Sequence, residues 1–271
     1  FLIREILHIA GASEPVPLWP EGKSYAVVLN HDIDTAWGID HPNGIQAFRE
    51  SEEKYGFRSA WMVVTQLHEV GRKCFNSLID NNHEIGCHST VHDHNIAYFP
   101  VKKIKQRLQS AENFLTEFNC VGFRSPSYHR SQNLFQGLDG LFKYDMSMHD
   151  TYEDVNSPIP SRQGCHTCFP FRLNNSDVLE LPTTITEDYQ LEMAGYSGQQ
   201  ASEIQISEIK KIAQRHGLAN ILTHPEKQLS AREEWHNCYD QVLKFLVTDT
   251  EAWVALPMEV ANWWYDRQSK I

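Results

Sequence analysis

Short runs of apolar residues recur along the chain, at spacings that leave room for a helix between most of them. They are Tyr25–Leu29, Ser59–Val64, Glu84–His88, Val121–Arg124, Tyr144–Met148, Val178–Leu181, Ala219–His224 and Ala252–Leu256. Between them lie stretches of helical period. Ile45–Tyr55 sets Ile45, Phe48 and Glu52 on one face. Val101–Phe118 does the same with Ile104, Leu108, Ala111, Leu115 and Phe118. Ser202–His216 carries Ile204, Ile206, Ile209 and Ile212, with Gly217 as its stop, and Arg232–Val247 carries Trp235, Tyr239, Val242 and Phe245. This repeated alternation predicts parallel strands, about seven or eight of them, under an outer layer of helices. At 271 residues the chain has the length of one such barrel domain, 1–271. Thr151–Asn175, with Pro158, Pro160, Gly164 and Pro170, breaks the pattern and reads as a long excursion without regular elements.

Composition narrows the class. The apolar fraction is 41% and the charged fraction 22%, which excludes a disordered chain. The net charge of −11 argues against a nucleic-acid partner. The longest apolar runs, Ala60–Val64 and Ala252–Leu256, fall far short of the ~20 residues of a membrane span. Phe1–Gly11 carries Arg4 and Glu5 among its apolar residues and does not read as a signal peptide, so the cytoplasm is the favoured location. Six cysteines do not suggest a disulfide scaffold, and Cys87 and Cys120 fit buried free thiols. Oligomeric state is left open.

The chemistry gathers where the apolar runs end. After Ala26–Leu29 comes Asn30-His31-Asp32-Ile33-Asp34. After Glu84–Cys87 comes His88-Ser89-Thr90-Val91-His92-Asp93-His94. After Val121–Phe123 comes Arg124-Ser125-Pro126, and after Ala219–Thr223 comes His224-Pro225. Reactive groups of barrels of this kind sit at the C-terminal ends of strands. His88 and His92, four apart at the start of a helical turn, face one way. With Asp34 they form a set of three that suits Zn²⁺ or another divalent transition ion and leaves coordination positions open. His94 and His83 are nearby, and solvated or supporting roles suit them better. Asp32 and Asp34, two apart on a strand, point to the same side. A division of labour suits them: one binds the ion, the other accepts a proton from water.

Taken in order, Asn30-His31-Asp32-Ile33-Asp34, His88-Ser89-Thr90-Val91-His92, Arg124-Ser125-Pro126 and Leu222-Thr223-His224 resemble the motifs of the NodB-type polysaccharide deacetylases, carbohydrate esterase family 4, in a subgroup whose first motif is His-Asp-x-Asp. The resemblance runs from about Tyr25 to Pro225. It implies a distorted (β/α) barrel holding a divalent metal, most often Zn²⁺, with Co²⁺, Ni²⁺ or Fe²⁺ as alternatives, on Asp34, His88 and His92. It implies Asp32 as the general base, Arg124 as the holder of that base, and His224 as the acid that protonates the leaving amine. The backbone N–H that helps bind the oxyanion falls at Ser127, and Tyr128 joins Ser127 as a substrate-binding candidate. The aspartate that orients the acid histidine is Asp145 or Asp150; the residues do not choose between them.

The implied activity is metal-dependent hydrolysis of a non-peptide carbon–nitrogen bond, removing an N-acyl group, first of all acetyl, from an amino sugar or polysaccharide. The alternatives are an amidohydrolase of a formamido sugar or small cyclic ureide, and a non-catalytic carbohydrate-binding relative. Cys165-His166-Thr167-Cys168 has ligand-like spacing but lacks a second cysteine pair, so loop packing is expected there. Tyr152, Phe169, Phe171 and Tyr189 either stack on sugar rings or pin the excursion to the barrel. Trp253, Trp263 and Trp264 are expected to close the barrel bottom or pack the last helix.

Overall fold

In the first strand, β1 (Tyr25–Ile33), all nine residues are buried. Such a strand has no solvent face, and its alternation divides two apolar layers. Tyr25, Val27, Leu29 and Ile33 pack outward with Phe48, Trp61 and Val63 toward the helices. Ala26 and Val28 point into the curl of the sheet with Met62, Tyr144, Met146, Leu179, Leu181 and Leu218. The computed structural model describes residues 16–149, 164–173 and 176–269. Asp150 and Tyr152 lie outside the described residues, as does Phe1–Gly11.

The remaining strands are β2 (Ala60–Val63), β3 (Glu84–Cys87), β4 (Gly122–Phe123), β5 (Tyr144–Asp145), β6 (Phe171–Arg172), β7 (Leu179–Glu180), β8 (Leu218–Thr223) and β9 (Ala252–Val254). The sheet order is β6-β7-β5-β4-β3-β2-β1-β8, and β9 pairs the first residues of β1. Every pairing is parallel except β6 with β7. The eight predicted runs are therefore the eight mutually parallel strands. The curl is brought back on itself where Thr184 N and Ile185 N donate to Asn220 O of β8 at 3.3 and 3.2 Å. This is the expected distorted (β/α) barrel.

Three local expectations are corrected. The excursion does hold a regular element, β6: a two-residue edge strand is too short to show a pattern in sequence. The single helix expected over Val101–Phe118 is two, Val101–Gln109 and Glu112–Glu117. At the break, the Ser110 hydroxyl donates to Arg107 O at 2.6 Å and competes with the helical ladder. The helix expected from Ser202 begins at Gly198, where Ser197 and Gln200 form a capping box. Its left-handed terminal residue is His216, φ 57°. Gly217 serves close packing instead, since a Cβ there would lie 2.5 Å from Cys168 Sγ.

The tryptophans behave as expected. Trp19 packs against Trp253 and Trp264, and Trp263 Nε1 donates to Leu18 O at 2.8 Å. Among the described residues no helix is long and apolar enough to cross a membrane.

Candidate active site and metal centre

Parallel pairing lines up the C-terminal ends of β1, β3, β4 and β8, and the curl turns them toward one another. Asp34 Oδ1 lies 3.3 Å from His88 Nε2 and 3.5 Å from His92 Nε2. Among the described residues these three form the one cluster able to hold a metal ion. The separations are long for hydrogen bonds, and buried Asp34 Oδ1 accepts none. Ligands at ~2.0–2.1 Å from a tetrahedral ion stand ~3.3–3.4 Å apart, so the donor set fits such an ion. The other ring nitrogen of His88, Nδ1, lies 3.0 Å from Arg124 O, which fixes Nε2 toward the site.

His88 and His92 do not share a helical turn. Ser89 takes a left-handed backbone, φ 63°, and Thr90–His94 follow as bends. Arg107 folds this loop back. Its Nε donates to Thr90 Oγ1 at 2.8 Å, one Nη to Val91 O at 3.2 Å, and both Nη groups to Asp93 at 2.9 Å. The His-x-x-x-His spacing therefore works through an anchored loop. His94 sits beside it, its ring 4.6 Å from that of His92 and its Nδ1 3.0 Å from Ser127 Oγ. His83 lies just before β3, at the end opposite His88. It is buried against Ser59 and Trp61, neither solvated nor in support of the site.

Asp32 faces the same cavity but is held differently. Its Oδ1 accepts from Arg124 Nη1 at 3.0 Å, and Arg124 is 1% exposed. The guanidinium is fixed further by Met146 O at 3.1 Å and Thr183 Oγ1 at 3.4 Å. Asp32 Oδ2 lies 3.6 Å from His88 Nε2 and 3.9 Å from His224 Nε2. It stands between the metal cluster and the imidazole of β8.

His224 Nδ1 is 2.7 Å from Asp188 Oδ1, while Asp188 Oδ2 accepts the His224 N–H at 2.7 Å and the Ser230 hydroxyl at 2.5 Å. Burial alone would lower the His224 pKa. The charges of Asp188, Glu187 and Asp32 outweigh it and hold the imidazole well above its usual range. The partner of His224 is thus neither of the two aspartates proposed from sequence. Asp145 lies in β5 opposite Phe123 and Glu180 and accepts from Ser147 Oγ at 2.6 Å. Asp188 could have been found by the rule that found the others, a carboxylate after an apolar run, had a longer gap after Val178–Leu181 been allowed.

Ser127 and Tyr128 both have positive φ, 52° and 53°. Among the described residues no acceptor is found for the Ser127 N–H, and both residues line a cavity of about 430 Å³ over the metal cluster, Asp32 and His224. His149, Glu187, Tyr189 and Gln190 also stand in its wall. Of the excursion aromatics, Phe169 packs on Trp264 and Phe171 on the outer core, whereas Tyr189 faces the cavity. Cys168 is buried against Gly217, and Cys165 Sγ lies 3.6 Å from Thr167 O.

Compared with protein-family models and with curated protein sequences, the chain finds no match in either. Solved structures do match. A candidate polysaccharide deacetylase from Mycobacterium smegmatis is 18% identical, with 96% of this chain and 95% of that one covered at a TM-score of 0.70. PuuE allantoinase is 13% identical, with 94% and 95% covered at 0.74. A family 4 acetyl xylan esterase from Clostridium thermocellum, in complex with a cobalt ion, is 17% identical, with 88% and 90% covered at 0.54. By its curled parallel sheet and by these neighbours, the chain has the fold of the polysaccharide deacetylases of carbohydrate esterase family 4.

Proposed function

We propose that the protein is a metal-dependent hydrolase that removes an N-acyl group, first of all acetyl, from an amino sugar or polysaccharide. The observation that carries this reading is the convergence on one cavity of Asp34, His88 and His92 with Arg124-held Asp32 and Asp188-held His224. A divalent ion on the first three, Zn²⁺ before Co²⁺, Ni²⁺ or Fe²⁺, would polarise the amide carbonyl and make water more acidic.

The chain's own groups do the rest. Asp32 takes the proton of the water that attacks the carbonyl carbon, and Arg124 holds that carboxylate in place. The Ser127 N–H, for which no acceptor is found among the described residues, serves as a donor to the developing oxyanion, an interaction worth about 3 kcal/mol in comparable sites. His224, protonated through its pairing with Asp188, gives its proton to the nitrogen as the carbon–nitrogen bond breaks. The products are a carboxylic acid and an amine. Base and acid need opposite protonation states, so the rate profile is bell-shaped in pH.

A second reading keeps the residues and changes the substrate. The allantoinase neighbour supports a small cyclic ureide, and a formamido sugar would use the same groups. A non-catalytic role is disfavoured, because base, acid and all three candidate ligands stand in the sequence and meet in space. The test is a screen of N-acetylated sugars, formamido sugars and allantoin with metal-depleted protein, before and after Zn²⁺ or Co²⁺ is added. Metal-dependent release of acetate or formate, or opening of the ureide ring, is expected. No turnover of any probe by metal-loaded protein would refute the proposal.

A further inference from the structure

One cavity carboxyl, whose charge helps hold the His224 imidazole up, transfers no proton in the chemistry just described. Glu187 is 7% exposed, yet it lines the cavity beside Tyr128 and His224. Its Oε2 accepts from the Tyr128 hydroxyl at 3.1 Å, and among the described residues nothing donates to Oε1. The segment that carries it is held firmly. Glu208 accepts from Thr186 N and Oγ1, both at 2.8 Å, and Gln205 Nε2 donates to Thr186 O at 2.9 Å. The next residue, Asp188, is pinned by His224 and Ser230. Glu187 is therefore a rigid, half-satisfied carboxyl next to the imidazole assigned to the leaving amine.

We propose that Glu187 selects the leaving amine: its free oxygen accepts a hydrogen bond from a hydroxyl or N–H that the substrate carries on the amine side of the scissile amide. The inference rests on the hydrolase reading above and adds the class of leaving group, a polyhydroxylated or ureide nitrogen in place of a plain alkyl amine. Burial pushes the Glu187 carboxyl up to about 7, with His224 pulling the other way. A site built around such an acceptor discriminates strongly against ligands that lack the donor.

The test is a cycle between substrate group and side chain. N-acetylglucosamine and N-cyclohexylacetamide present the same acetamide on a six-membered ring, with and without hydroxyl donors. kcat/KM is measured for both, or a competitive inhibition constant where turnover is absent, in wild type, Glu187→Gln and Glu187→Leu with metal content confirmed. The preference for the sugar should fall by about 10- to 100-fold in the Leu variant, mostly through KM, and by less in the Gln variant, which keeps an acceptor. Allantoin is the N–H arm: its turnover, with the same loss in the Leu variant, would assign the donor as ureide rather than hydroxyl.

Equal losses for both ring compounds would mean that Glu187 acts through His224 and would overturn the inference while leaving the hydrolase reading intact. Equal preference in wild type and variants would overturn it too. Absence of turnover and inhibition with every probe in metal-loaded wild type would take down both. The Gln variant changes neither size nor shape, so its substrate preference decides the question even if the Leu variant does not fold.

Discussion

Asp32→Asn and Asp34→Asn, made side by side, separate the base from the ligand. Distance alone does not, because Asp32 Oδ2 and Asp34 Oδ1 lie 3.6 and 3.3 Å from the same His88 Nε2. What distinguishes them is their partners. Asp32 is neutralised by Arg124 at 3.0 Å, whereas Asp34 Oδ1 also faces His92 at 3.5 Å and accepts no hydrogen bond. A unit charge pair 4 Å apart at an effective dielectric of 20 is worth about 4 kcal/mol. Loss of the Asp34 charge beside a divalent ion should therefore weaken binding by about that much or more, on the order of 10³-fold. Loss of the Asp32 charge, largely compensated by Arg124, should weaken it by about tenfold or less.

Turnover at saturating metal should fall 10²–10⁴-fold in Asp32→Asn, about 2.7–5.5 kcal/mol in the barrier. The same variant leaves Arg124, 1% exposed, beside a neutral acceptor, at a cost of about 2 kcal/mol in folding stability. The assays are elemental analysis after dialysis, acetate release at saturating metal, and urea unfolding. If Asp32→Asn is empty after dialysis while Asp34→Asn stays loaded and inactive, the two roles are reversed.

Three further outcomes follow from the same geometry. His92→Ala should lose metal at least 100-fold more readily and with it activity, and full occupancy by elemental analysis would remove His92 from the ligand set. Asp188→Asn should move the alkaline limb of kcat/KM to lower pH, because the Asp188 charge helps raise the His224 pKa against burial. The raised His224 pKa contributes stability that is fully present below the unfolded value of about 6.5 and fades as pH rises through the folded one, so this variant should also flatten stability over that window; an unmoved limb would count against the pairing. Glu52→Leu would strand the Ser59 and Tyr239 hydroxyls and the His31 ring nitrogen, which now meet the carboxylate at 2.5, 2.5 and 2.7 Å, and should cost several kcal/mol in urea unfolding. Burial alone would raise the Glu52 pKa, but His31, Ser59 and Tyr239 lower it, so its stabilisation is present above the unfolded value near 4.3 and is lost as pH falls through the folded one; a cost under 1 kcal/mol would refute its buried role.

Much of the fold and part of the site were legible along the chain. A strand buried on both faces writes itself as a continuous apolar run, and a helix against it as a 3.6-residue stripe, so the eight parallel strands could be read in order. Asp32, Asp34, His88, Arg124 and His224 could be read because each directly ends, or closely follows, such a run, and parallel pairing brings those ends together whatever the intervening loops do. His92 was reached through the right spacing for the wrong local reason, since Ser89 and Arg107 shape a loop where a helical turn was expected.

What only the tertiary structure decided lies across the barrel. Asp188 meets His224 from 36 residues away, His31 meets Thr223 from 192 away, and Arg107 reaches back from its own helix to Asp93. Glu187 became visible only once the wall it stands on had closed over the cavity. Local spacing determines which side chains reach a strand's end and to which side they point. Which carboxylate then faces which imidazole depends on how far the sheet curls and how the loops are clamped, and that is set by packing between residues far apart in sequence, which leaves no periodic mark on the chain.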